Sequence, residues 1–175
     1  MKSPARFSRI APLLALVLAC AAAACGRGGG APPSLGPVPE SALIYDDDAG
    51  GLRDSARMVI RTRAALDELW GRATAGQPSP PPAPTIDFGR EMVVAVAAGR
   101  STPSDRIVVD SVGVRPEPGA NGKMRNVLAV LVRTTSGCGR FTAPAYPVQL
   151  VRVRRYEGPV VFVERRERAE GCTRE

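Results

Sequence analysis

The chain reads as a mainly β protein, an antiparallel β-sandwich or barrel-like domain with one short helix on its N-terminal side. Three observations carry that reading. Short runs of Val, Ile and Leu recur between Gly-, Pro-, Ser- and Asp-rich breaks, the signature of small strands joined by turns. The 175 residues contain 18 Gly and 17 Pro but only 5% aromatics, so the core must be aliphatic and the chain must turn often. Finally, Met92 to Ala98 is apolar on both faces, which suits a strand in the middle of a sheet.

The first 24 residues have the layout of a secretory signal. Lys2, Arg6 and Arg9 form a positive start, and an uncharged run from Ile10 to Ala24 follows. That run is about 15 residues long, short of the ~20 that a spanning helix needs. Cys20 follows Val17-Leu18-Ala19, and Cys25 follows Ala22-Ala23-Ala24. Small residues before a cysteine resemble a bacterial lipoprotein signal, in which that cysteine is lipidated and becomes the new N-terminus. The all-small run before Cys25 and the glycines after it favour Cys25, with Cys20 as the alternative. The expected address is the cell envelope, on the periplasmic face of the outer membrane, with the membrane engaged through the N-terminal lipid.

Cleavage before Cys25 would remove three basic residues and no acidic one, lowering the net charge from +7 to +4. With no nucleic-acid motif present, a moderate charge on an exported chain argues against a nucleic-acid partner. Cys138 and Cys172 would then sit in an oxidising compartment, where two cysteines permit only one internal pairing. Closing a loop of about 34 residues would add about 3–4 kcal/mol.

Residues 25–40 are expected to be the lipidated cysteine and a flexible Gly/Pro tether. Residues 41–175 are expected to form a single β-rich domain. Ser41–Tyr45 opens it as a short strand or as the end of the tether, and Asp46–Gly51 reads as a turn. Three contiguous Asp lack the alternate spacing of a calcium loop, so a solvated turn is expected and no metal. Ala56–Arg61 alternates as a strand. Thr62 can cap a helix over Arg63–Gly71, with Leu66, Leu69 and Trp70 on one face as core residues. Gln77–Pro84 can be neither helix nor central strand and reads as a surface crossing.

Ile86 and Phe88 lead through Gly89-Arg90-Glu91 into the doubly apolar strand. Ser101–Asp105 is a turn, Ile107–Val114 a strand, and 115–123 a hairpin connection. Val127–Val132, Val148–Val153 and Val160–Val163 complete the strands, the last two joined around Glu157-Gly158. The carboxylates of Glu164-Arg165-Arg166-Glu167-Arg168 read as a solvated, charged tail.

In that order, Glu68-Leu69-Trp70, the Pro-rich link, Ile86-Asp87-Phe88, Met92-Val93-Val94, Gly99-Arg100 and Ala143-Pro144-Ala145-Tyr146-Pro147-Val148 carry a resemblance. Over roughly residues 56–165 the chain resembles the family named for the protease-complex subunit PrcB, exported bacterial lipoproteins with a β-rich C-terminal domain. In that family the glycine after the central strand leads into a Pro-Thr-Gly-Gly-Tyr-like turn, similar to the loop that chagasin-like inhibitors insert into cysteine proteases. The corresponding residues here are Ser101, Thr102, Pro103, Ser104, Asp105 and Arg106, the candidate partner-binding loop. Ser104 and Asp105 do not supply the backbone freedom of a glycine pair, which argues against protease plugging by this loop. Partner binding by other surfaces stays open.

No catalytic residue suggests itself. The chain has no His, which removes His-based triads and the commonest acid–base group. It has no phosphate or dinucleotide fingerprint, so no cofactor is expected. The reading favoured is a non-enzymatic, lipid-anchored protein that binds or stabilises an exported partner, a protease among the candidates. A carboxylate-based envelope hydrolase and a structural lipoprotein without a client are the alternatives.

Overall fold

A computed structural model describes residues 36–139, 141 and 143–172. The expected leader, with Cys20 and Cys25, lies outside the described residues. Among the described residues eight strands form two four-stranded sheets: β1 (Gly36–Pro37), β2 (Leu43–Asp47), β3 (Ser55–Ile60), β4 (Glu91–Ala98), β5 (Arg106–Pro118), β6 (Met124–Ser136), β7 (Val148–Arg154) and β8 (Val160–Arg168). One sheet runs β1-β5-β6-β8, the other β2-β7-β4-β3. The α-helix α1 (Arg63–Ala73) is the only one among the described residues. The result is a sandwich rather than a closed barrel.

Strand β4 is interior to its sheet, and Met92 through Ala97 are completely buried. Its alternating side chains serve two cores. Val94 and Val96 meet Val151 and, from the other sheet, Ile107, Val109, Val130 and Val132. Val93, Ala95 and Ala97 meet Leu66, Leu69 and Trp70 of α1. A strand covered on both faces must be apolar at every position, which is why β4 shows no polar alternation. It stops at Gly99, whose φ of +73° suits glycine and whose missing Cβ would lie 2.6 Å from Ser55 N.

Helix α1 begins as the sequence indicates. Thr62 has extended backbone, and its side chain accepts from the Ala65 N–H at 3.3 Å. Trp70 is buried, touches Tyr45 edge-on at 5.1 Å between ring centroids, and donates its indole N–H to Pro81 O at 2.8 Å. The Pro-rich crossing is thereby fastened to the helix it passes.

Five details depart from expectation. The pairing is not uniformly antiparallel: β8 runs parallel to β6. The chain leaves β6, forms β7 in the opposite sheet and returns, so β7 plays the crossover part usually given to a helix. Part of the expected tether is docked, because Gly36-Pro37 pairs with Val112 and Ser111 and Val38 N–H donates to Asp110 O. Strand β5 continues through Pro116 and Pro118, which the sequence places in a connection. These prolines are tolerated because β1 covers β5 only at Ser111 and Val112, leaving that stretch on an edge. The 164–168 segment is no tail but the second half of β8. Likewise, Asp46 and Asp47 end strand β2 rather than lying in a turn.

Cys138 and Cys172 form a disulfide, with Cα atoms 5.3 Å apart. It joins the chain just past β6 to the chain just past β8.

Candidate functional site

One end of the sandwich gathers the last residues of β2, β4, β6 and β8 and the first residues of β5 and β7. The candidate loop 101–106 lies here, between β4 and β5. Ser101 and Ala145 exchange backbone hydrogen bonds at 2.9 and 3.0 Å, and Tyr146 N–H donates to Asp48 O at 2.7 Å. The Pro144–Pro147 segment therefore sits between the loop and the Asp run. Together they line an open cleft of about 660 Å³, with Asp46, Asp47, Asp48, Pro103, Arg106 and Pro144 on its walls.

The loop is braced from within by Asp105. One carboxylate oxygen accepts from Ser101 Oγ at 2.7 Å and from Thr102 N–H at 2.9 Å. The other accepts from the Gly137 N–H at 3.0 Å. Burial raises the Asp105 pKa, but these donors outweigh it and hold the carboxyl below its ordinary value. Gly137 must be glycine to come this close: a Cβ there would lie 2.3 Å from Ser104 Cβ. Since Gly137 precedes Cys138, the disulfide helps to fix the segment that supports the loop.

The three aspartates diverge. Asp46 accepts from Gln149 Nε2 at 3.1 Å. The Gln149 Oε1 in turn accepts from Val109 N–H at 2.7 Å, at the point where a register shift in β5 interrupts pairing with β6. Gln149 is buried, and its amide thus ties the two sheets together. Asp47 accepts from Tyr45 OH at 2.9 Å, from Ala49 N–H at 2.7 Å and from Gln77 Nε2. Burial opposes ionisation of Asp47, yet these bonds prevail and its pKa is lowered; burial and the same carboxylate raise that of Tyr45. Asp48 pairs with Arg106 at 2.7 Å. Its pKa is nonetheless raised, by burial first and then by Asp46 and Asp47, with Arg106 opposing. Among the described residues no group of three His, Cys, Asp or Glu is placed to hold a metal.

Sequence reasoning identified the loop and treated the Asp run as a solvated turn, so it missed that the two share a cleft. Nothing local could reveal this, because Asp48 meets Arg106 across the fold. Gln149 left a fainter trace as the one polar residue in Val148-Gln149-Leu150-Val151. Arg53 stacks on the 144–147 segment, its guanidinium 5.4 Å from the centroid of the Tyr146 ring.

No protein-family model, curated protein or solved structure matches this chain.

Proposed function

We propose that the protein is a non-enzymatic lipoprotein, anchored through Cys25 (Cys20 being the alternative) on the periplasmic face of the outer membrane. Its β domain binds an exported protein partner, and the PrcB-like resemblance makes a protease the first candidate. The observation that carries this reading is the cleft formed by the loop 101–106, the Asp run and the 144–147 segment. Its loop is held by Asp105 before any partner arrives, and a preorganised surface loses less freedom on binding.

A carboxylate-based hydrolase is favoured by one feature of the same cleft. Asp47 is held low while Asp48 is raised, the asymmetry that acid–base pairs exploit. Against it, Asp47 is saturated with donors and Asp48 is paired to Arg106, so neither is free to move a substrate proton.

A photo-crosslinking residue at Pro103, compared with one at the exposed Glu68 on α1, separates the readings in intact cells. A discrete protein adduct from Pro103 and none from Glu68 is the expected outcome. Adducts from neither position would leave a structural lipoprotein. Hydrolysis of envelope polysaccharide that disappears in Asp48→Asn would establish the enzyme instead.

A further inference from the structure

The end of the sandwich opposite the cleft has its own character. Beyond Asn126, whose carbonyl accepts from Tyr156 OH at 2.8 Å, β5 and β6 pair only with each other. They form a two-stranded ribbon running past the rest of their sheet, from Pro116↔Asn126 to Pro118↔Met124, and closing through Gly119 N–H to Lys123 O at 2.8 Å. At its tip Lys123, Met124 and Arg125 are consecutive and exposed. Met124 is 62% exposed, ahead of Phe141 and Leu43, the other exposed large apolar side chains described. Arg115 on the same ribbon is neutralised by Glu117, whereas Lys123 and Arg125 have no carboxylate partner among the described residues. The tip thus carries, in consecutive positions, an exposed apolar residue flanked by two cations without carboxylate partners among the described residues.

A second, independent feature points to the same end. Pairing of Gly36 with Val112 and of Pro37 with Ser111 means that β1 runs antiparallel to β5, toward the cleft. Gly36, the first described residue, is therefore the end of β1 nearer the ribbon. An anchor at Cys25 is eleven residues from Gly36, a reach of at most about 40 Å.

We propose that the Lys123-Met124-Arg125 tip is a docking surface for an anionic phospholipid bilayer. The two cations engage headgroup phosphates, and Met124, exposed at the same tip, enters the headgroup layer. This rests on the lipid-anchor reading for its biological setting and deepens it. Because β5 runs from the cleft at Arg106 to the ribbon at Pro118, docking by the tip would hold the cleft roughly 40 Å further out, facing exported proteins.

The test replaces the native anchor. Residues 26–175 contain both cores and the disulfide; they are given an N-terminal hexahistidine tag and tethered to vesicles doped with nickel-chelating lipid. Amide hydrogen exchange is compared on vesicles of phosphatidylglycerol and of phosphatidylcholine. Exchange across 119–125 should slow on the order of tenfold on the anionic vesicles, two cations contributing about fivefold each at most. Exchange across 101–106 should not change, and Lys123→Glu with Arg125→Glu should abolish the effect without altering either core. No slowing at 119–125, equal slowing at 101–106, or slowing that survives the double reversal would overturn the proposal. The anchor is judged separately, by the intact mass of the exported full chain. A lipid-free chain would refute the anchor and leave the vesicle result standing.

Discussion

The two ends of β5 solve different problems with similar residues. At the cleft end every charged group described on the loop and the Asp run is engaged: Asp105 by three donors, Asp47 by Tyr45 and Gln77, Asp48 by Arg106. At the ribbon end Lys123 and Arg125 stand in solvent, and Pro116 and Pro118 keep other strands from pairing with the bare edge. The first arrangement fixes shape and spends its charge internally. The second leaves its charge unspent, as would suit the lipid surface proposed for it rather than a sculpted protein partner.

The largest way to break that contrast is to cut the disulfide. Cys138→Ser with Cys172→Ser should cost about 3–4 kcal/mol in denaturant unfolding, from the loop of 34 residues that it closes. Increased amide exchange should spread to 101–106 through Gly137 and leave 119–125 unchanged. Equal loosening of both ends would mean that the bridge stabilises globally and does not support the loop.

Asp105→Ala removes three hydrogen bonds to a charged acceptor and should cost about 2–3 kcal/mol. Its pH dependence follows from the depressed pKa. The unfolded carboxyl protonates near its ordinary value and the folded one at lower pH, so the contribution is complete above that ordinary value. It is lost as pH falls through the folded pKa. Wild type and Asp105→Ala should therefore converge in stability in strong acid, and a gap independent of pH would reject the carboxylate's role.

Smaller still is the Asp48–Arg106 pair. Both partners are substantially exposed, so Asp48→Asn should change stability by less than about 1 kcal/mol, readable as a small shift in denaturation midpoint. At the other end, Lys123→Glu with Arg125→Glu should leave stability within about 0.5 kcal/mol of wild type, since exposed side chains without partners contribute little. A loss larger than that of Asp48→Asn would show that the ribbon is tied down after all.

The sequence reveals elements better than partners. Strand β4 is legible because burial on both faces demands a continuous apolar run, and α1 because Thr62, Leu66, Leu69 and Trp70 combine a cap with a face. The disulfide is legible because Cys138 and Cys172, the two cysteines outside the expected leader, permit only one pairing with each other. The second half of β8 is not, because its two carboxylates are met by arginines of other strands. Glu164 accepts from Arg57 of β3 at 2.7 and 3.0 Å, and Glu167 accepts from Arg133 of β6 at 3.1 Å. Arg133 also holds Asp110 at 2.9 Å, and the bonds to Asp110 and Glu167 raise its pKa. Read locally, Glu-Arg-Arg-Glu-Arg looks like a solvated tail; in the fold it is a strand whose glutamates pair across the sheets, while Glu164, Arg165, Arg166 and Arg168 stay exposed. The cleft escapes for the same reason, since its walls come from three stretches far apart in sequence.

The parallel pairing of β8 with β6 also orders events in time. Strand β6 has no neighbour on that side until the final strand has been made, has crossed from the opposite sheet and has found its place. Such distant pairing makes folding slow, on the scale of milliseconds to seconds for comparable β topologies. Cys172 follows β8, so the bond to Cys138 cannot form until that strand has been made. A chain cut short before Val160 would lack both the strand that covers β6 and the cysteine that pairs with Cys138.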